Sequence, residues 1–340
     1  MNDNSDIAKV GFAAEKWELR QPYGPKTFGL LFIAAVILAV SAHRSEVDKG
    51  IAETGRAVAY SVGLAEDSKV ATGTKKFVDE SFPLVISNKT AVSRIEDFDP
   101  DNLPLFSSII EEPIKKFYAE KNEVVTAGHE EYLYQPVGYV TFVGELLLET
   151  LELAVWGTIL SIGIAIPLAY FGAKGYSPNR FSYSVARAVC SFNRAIPELI
   201  AALIFAFTFG PGSVAGILAL GIHTSGFLGK FFADDIENSA KGPQEALFST
   251  GASKIRVLRL SVIPQILPQV LAYCQYILER NFRSATVLGI VGAGGIGVEL
   301  KGRWDQFDYG HVSTILLAIF LTVLALETFT QRMRTRLIAE

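Results

Sequence analysis

Residues 245–268, EALFSTGASKIRVLRLSVIPQILP, form a polar and basic stretch between long apolar segments. They read as a helix end at Glu245, Ala246 and Leu247, a glycine turn at Gly251, and a short basic helix carrying Lys254, Arg256 and Arg259. Proline lacks a backbone donor and clashes with the preceding turn, so this second helix is expected to stop at Pro264. The elbow holds no nucleophile–base pair, no metal-ligand spacing and no phosphate-cradling loop. It suits docking to a partner protein better than chemistry.

The surroundings of the elbow are lipid-grade. The chain has 340 residues, 50% of them hydrophobic, and a mean hydropathy of +0.31, too apolar for an ordinary soluble domain. A formal net charge of −4 gives no field that would gather nucleic acid. The two cysteines, Cys190 and Cys274, both sit in apolar runs, which argues against a disulfide framework or a zinc site. The N-terminus, MNDNSDIAKVGFAAEKWELR, lacks the apolar core of a cleaved signal peptide.

A bilayer core of roughly 30 Å needs about 20 apolar residues in helical form. Six segments approach that length: 27–42, 153–173, 184–209, 212–228, 266–291 and 311–329. The expected fold is an all-α membrane protein with six transmembrane helices. The first helix (27–43) follows a tail at 1–26, and a last tail occupies 332–340. Between the first two spans lies a polar insert, 44–140, with runs such as SRIEDFDPDNLPLF and EEPIKKFYAEKNE. Its apolar residues (Phe82, Leu84, Val85 and Ile86 among them) are too few for a large core, so a small, partly ordered insert with some amphipathic helix is expected.

Basic residues set the orientation. Lys174 and Arg180 follow the second span, Lys230, Lys241 and the elbow cations the fourth, and Arg332, Arg334 and Arg336 the sixth. Placing both termini and the elbow in the cytoplasm satisfies the bias of Lys and Arg toward cytoplasmic loops, and makes the insert extracytoplasmic.

Two further patterns carry possible function. The run VGAGGIG at 291–297 contains Gly292-x-Gly294-x-x-Gly297, which alone matches a dinucleotide-binding fingerprint. That reading needs a soluble strand before it and an amphipathic helix after it. VELKGRWDQFDYGHVS has no such periodicity. Gly292, Gly294, Gly295 and Gly297 read instead as a gate or a site of close helix packing.

The second pattern is charge within the spans: Arg194 and Glu198 in NRAIPELI, and Glu279, Arg280, Asn281 and Arg283 in LERNFRSATVLG. Ionisable groups in a bilayer core cost several kcal/mol unless paired or facing a wet cavity. Arg194/Glu198 and Glu279/Arg283 are each four apart, so each pair can neutralise itself along one helix face. They either fix helix register or line a translocation path with an anion-friendly wall at Arg283 and Asn281. Glu145, Glu149 and Glu152 read as a solvated face, His223 and His311 lack a second ligand at metal spacing, and Pro167 and Pro197 are expected to kink helices. No P-loop is present, so any ATP dependence must come from a separate subunit. No catalytic residue, metal or cofactor is expected.

The elbow resembles the signature loop of type I ABC importer permeases, which inserts into a cleft on the ATPase subunit. In that family the pattern is Glu-Ala-Ala, three residues, Gly, nine residues, Ile, one residue, Leu-Pro. Here Leu247 replaces the second Ala, Ser261 stands at the Ile position and Ile263 at the Leu position, while Glu245, Gly251 and Pro264 are kept. RSATVLGIVGAGGIG at 283–297, AVWGT at 154–158, RAIPE at 194–198, GILAL at 216–220 and IHTSG at 222–226 resemble phosphonate ABC transporter permeases. The resemblance implies a permease domain over 145–331 with the all-α core shared with methionine importers. It also implies a second permease copy, a cytoplasmic ATPase dimer, an extracytoplasmic substrate-binding protein, and phosphonate, phosphite or phosphate as cargo. Lys254, Arg256 and Arg259 would contact the ATPase or lipid headgroups. An amino-acid importer shares elbow and topology. A membrane sensor is the rival from another class, and it calls for a signalling domain that is not expected after Arg336.

Overall fold

The computed structural model describes residues 24–65, 67–95, 98–100, 103–104, 106–118 and 123–338. Most of the expected tail at 1–26 lies outside the described residues. The chain divides into two compact units, Met1–Phe77 and Val78–Glu340. In the first unit, α1 (Pro25–Arg44) has a proline in its first turn, where a missing N–H costs nothing, and none of its side chains is buried. A helix apolar all round, with its side chains open among the described residues, is built for lipid. It is followed by α2 (Val47–Ser61) and by most of α3 (Lys69–Ser81).

The second unit begins with a small sheet, which corrects the all-α expectation. Strands β1 (Asn88–Ala91), β2 (Ser108–Tyr118) and β3 (Glu123–Gln135) pair antiparallel in the order β1-β3-β2. The register slips between Pro113 and Lys115, and such a bulge tolerates a residue without an N–H. The base of the sheet is pinned to the helices. Tyr139 N donates to Ile86 O at 3.1 Å, and Thr314 Oγ1 to Val85 O at 2.8 Å.

The helices that follow are α4 (Gly138–Gly172), α5 (Arg180–Ala195), α6 (Glu198–Phe209) and α7 (Ser213–Asn238). Then come α8 (Lys241–Ser249), α9 (Lys254–Val257), α10 (Ile263–Gly289), α11 (Ile296–Asp305) and α12 (Tyr309–Ile338). Among the described residues five helical stretches are long and apolar enough to cross a membrane, and a sixth exists only if α5 and α6 count together. Those two are bent by 89°, so the expected span at 184–209 is broken. Pro197 explains the break: it has no N–H to give and pushes Ile196 out of helical conformation, to ψ 121°. The other internal proline, Pro167, leaves α4 one continuous helix.

Pro264 also departs from expectation. The short basic helix does not stop there but runs on through a π-helical turn, Leu258–Val262, into α10, giving one helical stretch of 36 residues. Proline is tolerated because it falls in the first turn of α10, and the wider π turn relieves the ring's clash with the preceding carbonyls.

The core lies between α4 and α7, whose small residues allow close approach. A methyl placed on Gly157 would sit 2.9 Å from Leu220 Cβ, and one on Gly221 2.6 Å from Leu160. At the elbow end Arg187 of α5 clasps both neighbours. Its Nε donates to Gly172 O at 2.7 Å, Nη1 to Asp234 at 2.5 Å and Nη2 to Glu237 at 2.9 Å. Arg187→Ala leaves two partly buried carboxylates without their shared cation, at a cost of about 2 kcal/mol. Thermal unfolding in detergent should show a lowered midpoint, and an unchanged midpoint would remove this role.

Candidate functional site

Three places answer to the residues singled out in the sequence: the elbow, the glycine loop, and the polar cluster at the α5–α6 break.

In the elbow, Gly251 adopts φ +78° just after α8. Its N–H bonds Phe248 O at 2.9 Å, and Ala252 N bonds Leu247 O at 3.2 Å. This is a glycine-ended helix cap that satisfies the last carbonyls. Nothing lies within 4 Å of where a side chain would begin, so the demand for glycine is conformational. Behind the turn, Gln244 is buried and anchors the elbow. Its Oε1 accepts from Tyr176 Oη at 2.8 Å, and its Nε2 donates to Ser239 Oγ at 2.9 Å and Ala240 O at 3.0 Å. Burial pushes the Tyr176 phenol above its ordinary pKa, which keeps it a donor. Gln265 Oε1 then accepts from Ala240 N at 3.0 Å and links this turn to α10. The outer face exposes Glu245, Ala246, Phe248, Lys254, Ile255, Arg256, Arg259, Leu260 and Pro264. Mixed apolar and charged exposure of this kind marks a contact surface.

The glycine run joins α10 to α11 and follows a helix, not a strand, which removes the dinucleotide reading. Gly292, Gly294 and Gly295 have φ of +91°, +88° and +70° and form the turn. Gly297 packs on Gly289, where an added methyl would stand 2.7 Å from the Gly297 Cα. The loop is tied down at both sides: Gly212 N donates to Gly292 O at 2.8 Å, and Ile296 N to Thr150 Oγ1 at 2.9 Å.

At the break, the expected Arg194–Glu198 pair does not form, because the two residues sit on different helices. Glu198 Oε1 accepts from Ser284 Oγ at 2.7 Å. Its Oε2 is buried without a hydrogen-bond donor, 3.8 Å from His223 Nε2 and 3.9 Å from Arg280 Nη2. His223 Nδ1 meets the freed carbonyl of Ile196 at 2.9 Å, and Arg280 Nη2 lies 3.0 Å from His223 Nε2. Donation from Nδ1 to the carbonyl and acceptance at Nε2 define a neutral ring. The Glu279–Arg283 pair forms as expected, at 2.8 Å, with the Arg283 side chain 49% exposed. Asn281 is fully buried and donates to Thr158 Oγ1 at 2.9 Å, so it ties α10 to α4 instead of facing a cavity. Sequence reading placed Arg280 among the charges within the spans but missed its contact with His223, and missed His223 and Ser284 as members of this cluster. The signal available was a histidine inside an apolar helix beside Ser225 and Gly226, the small residues that let helices approach.

A broken helix with charged side chains gathered at the break, together with an exposed elbow, fits a helical membrane transport subunit. Residues 165–339 match the binding-protein-dependent transport system inner membrane component family, and the chain belongs to that family. It is a transport component of the inner membrane and not an enzyme. Among similar proteins is HtxE of Stutzerimonas stutzeri, provisionally named a phosphite transport system permease protein. It is 47% identical over 260 residues, covering 76% of this chain and 100% of HtxE. PtxC of the same organism, a phosphite transport system permease protein, is 38% identical over 58% of this chain and 71% of its own length. The phosphate-import permease protein PhnE of Mycolicibacterium smegmatis is 40% identical over 54% of this chain and 35% of its own length. An amino acid ABC transporter crystallised with histidines shares the fold, with a TM-score of 0.51 and 19% identity over 59% of this chain and 96% of that one.

Gly251→Val should loosen the cap by about 1–2 kcal/mol, since a β-branched residue resists positive φ. Hydrogen exchange at Gly251 and Ala252 would then speed up roughly tenfold, while Gly251→Asn, which tolerates this conformation, would change little. Equal exchange in both variants would show that the turn does not need glycine.

Proposed function

We propose that the chain is the permease subunit of an ATP-driven importer that moves a phosphorus oxyanion (phosphonate, phosphite or phosphate) inward across the membrane. The observation that carries this is the exposed elbow running without interruption into α10, the helix that bears Glu279, Arg280 and Arg283. Relatives named for phosphite and phosphate transport support the choice of cargo.

In this reading two permease copies associate, an extracytoplasmic binding protein delivers the cargo, and an ATPase dimer docks on the elbows. Glu245, Ala246 and the Gly251 turn fix the docking geometry. Lys254, Arg256 and Arg259 reach the ATPase or lipid headgroups, and Pro264 opens the rod behind them. The spans number six, with α5 and α6 together forming a broken third, and the permease domain covers 145–331. Both termini lie in the cytoplasm, and the insert at 44–140 with its sheet lies outside. ATP binding closes the ATPases, moves the elbows and turns the spans from inward- to outward-open. Arg194, Glu198, Glu279, Asn281 and Arg283 belong to the path or to the shell that shapes it. Gly292, Gly294, Gly295 and Gly297 form its packed outer turn.

Reconstitution with the ATPase and binding protein tests this directly. Stimulation of ATP hydrolysis by binding protein loaded with phosphite, phosphate or methylphosphonate is expected, and stimulation by methionine alone would replace the substrate class. Arg283→Ala should cut uptake roughly tenfold, the worth of one charge-assisted contact, with the complex still assembled. Unchanged uptake in a less stable complex would make Arg283 structural. Gly251→Val should leave ATP hydrolysis running without uptake, and normal coupled transport in that variant would remove the elbow's role.

A further inference from the structure

The failure of Arg194 to pair with Glu198 leaves a cation over. Around the break, Arg283 is matched by Glu279 and Arg280 by Glu198, and the His223 ring is neutral by its hydrogen bonds. Arg194 makes no ion pair among the described residues. It is the fifteenth residue of α5, so it lies roughly 20 Å along the helix from the elbow end, well inside the thickness of a bilayer. A guanidinium at that depth is costly without an anion or a wet cavity beside it.

The structure supplies an open pocket there. About 400 Å³ opens beside Arg194, lined by Ser191, Arg194, Ala195, Phe227 and Phe231. The Arg194 guanidinium lies over the Phe227 ring, 5.4 Å from its centre, and Arg280 lies over the same ring at 4.5 Å. Gly226 holds this arrangement. A methyl there would stand 2.5 Å from Cys190 O and 3.0 Å from Arg194 Cγ, so only glycine lets α5 settle this close to α7. Asn193 Nδ2 donates to Ser225 Oγ at 3.0 Å and fixes the crossing.

We propose that this cavity is the point inside the membrane where the transported tetrahedral oxyanion is contacted directly, by the Arg194 fork and the Ser191 hydroxyl. Ser191 and Arg194 are three apart on α5 and therefore share a face. A guanidinium presents paired donors that match two oxygens of such an anion. Glu198 occupies Arg280 and thereby keeps the second cation from adding to the grip, so the anion can leave. This inference rests on the proposed cargo class.

The test uses the importer assembled with its ATPase and binding protein in liposomes, with phosphite and methylphosphonate as cargo. If the wild type carries neither, the cargo class is wrong and the failure lies there. If it carries one, Arg194→Gln should reduce uptake at least about tenfold. Arg194→Lys should recover part of the loss, through charge without the fork. Ser191→Cys, in a chain with Cys190→Ala and Cys274→Ala, should react with a negatively charged thiol reagent, and millimolar phosphite should slow that reaction. Wild-type uptake in Arg194→Gln overturns the proposal. Should Arg194→Gln not assemble, the labelling decides: protection of Ser191→Cys by phosphite supports the site, and no protection overturns it.

Discussion

One constraint organises the polar interior: a helix broken inside lipid exposes a carbonyl that must find a donor. Pro197 breaks the run between α5 and α6, and the carbonyl of Ile196 is left over. In hydrocarbon an unsatisfied backbone group costs several kcal/mol. His223 of α7 meets it, which fixes the ring's tautomer and turns Nε2 toward Arg280. Arg280 then lies 3.9 Å from Oε2 of the Glu198 carboxylate, and Ser284 donates to Oε1 from one turn further along α10. Four helices are thereby tied by a chain of polar contacts that begins at one break in a helix.

The same logic separates packing from exposure. Asn281 Nδ2 donates to Thr158 Oγ1 in a buried contact between α10 and α4, while Arg283 two residues on keeps half its side chain open. Residues two positions apart on α10 thus serve opposite ends, one holding the bundle and one facing outward. The glycine loop at 289–297 belongs with the first group, since each of its sides is bonded to a neighbouring helix.

What could be read in the sequence was whatever is local. The apolar stretches gave themselves away by length, and the elbow by the fixed spacing of Glu245, Gly251 and Pro264. The sheet was hidden because the alternation in β2 is interrupted by Glu111, Glu112 and Pro113, so the period of two is faint. A kink at Pro197 was legible from the proline itself, but its size, 89°, was not, because hydropathy over 184–209 is continuous and a length scan does not register direction. The Arg280–His223 contact joins residues 57 apart in sequence and depends on the crossing of α7 and α10, which no periodicity encodes. For the same reason Arg194 and Glu198 looked like partners: four residues is the right spacing only while the helix lasts.

The π turn at Leu258–Val262 has a mechanical meaning. Because α9, the π turn and α10 follow one another without a loop, 36 residues behave as a single rod roughly 50 Å long. Each degree by which such a rod tilts sweeps its far end by about 1 Å. A loop at that place would absorb a push as slack, whereas a helix widened by one residue bends little and passes the push on. The charged face of α10 therefore rides on a lever whose short handle keeps Lys254, Arg256 and Arg259 exposed, and its gearing is set by where α4 and α7 grip the shaft.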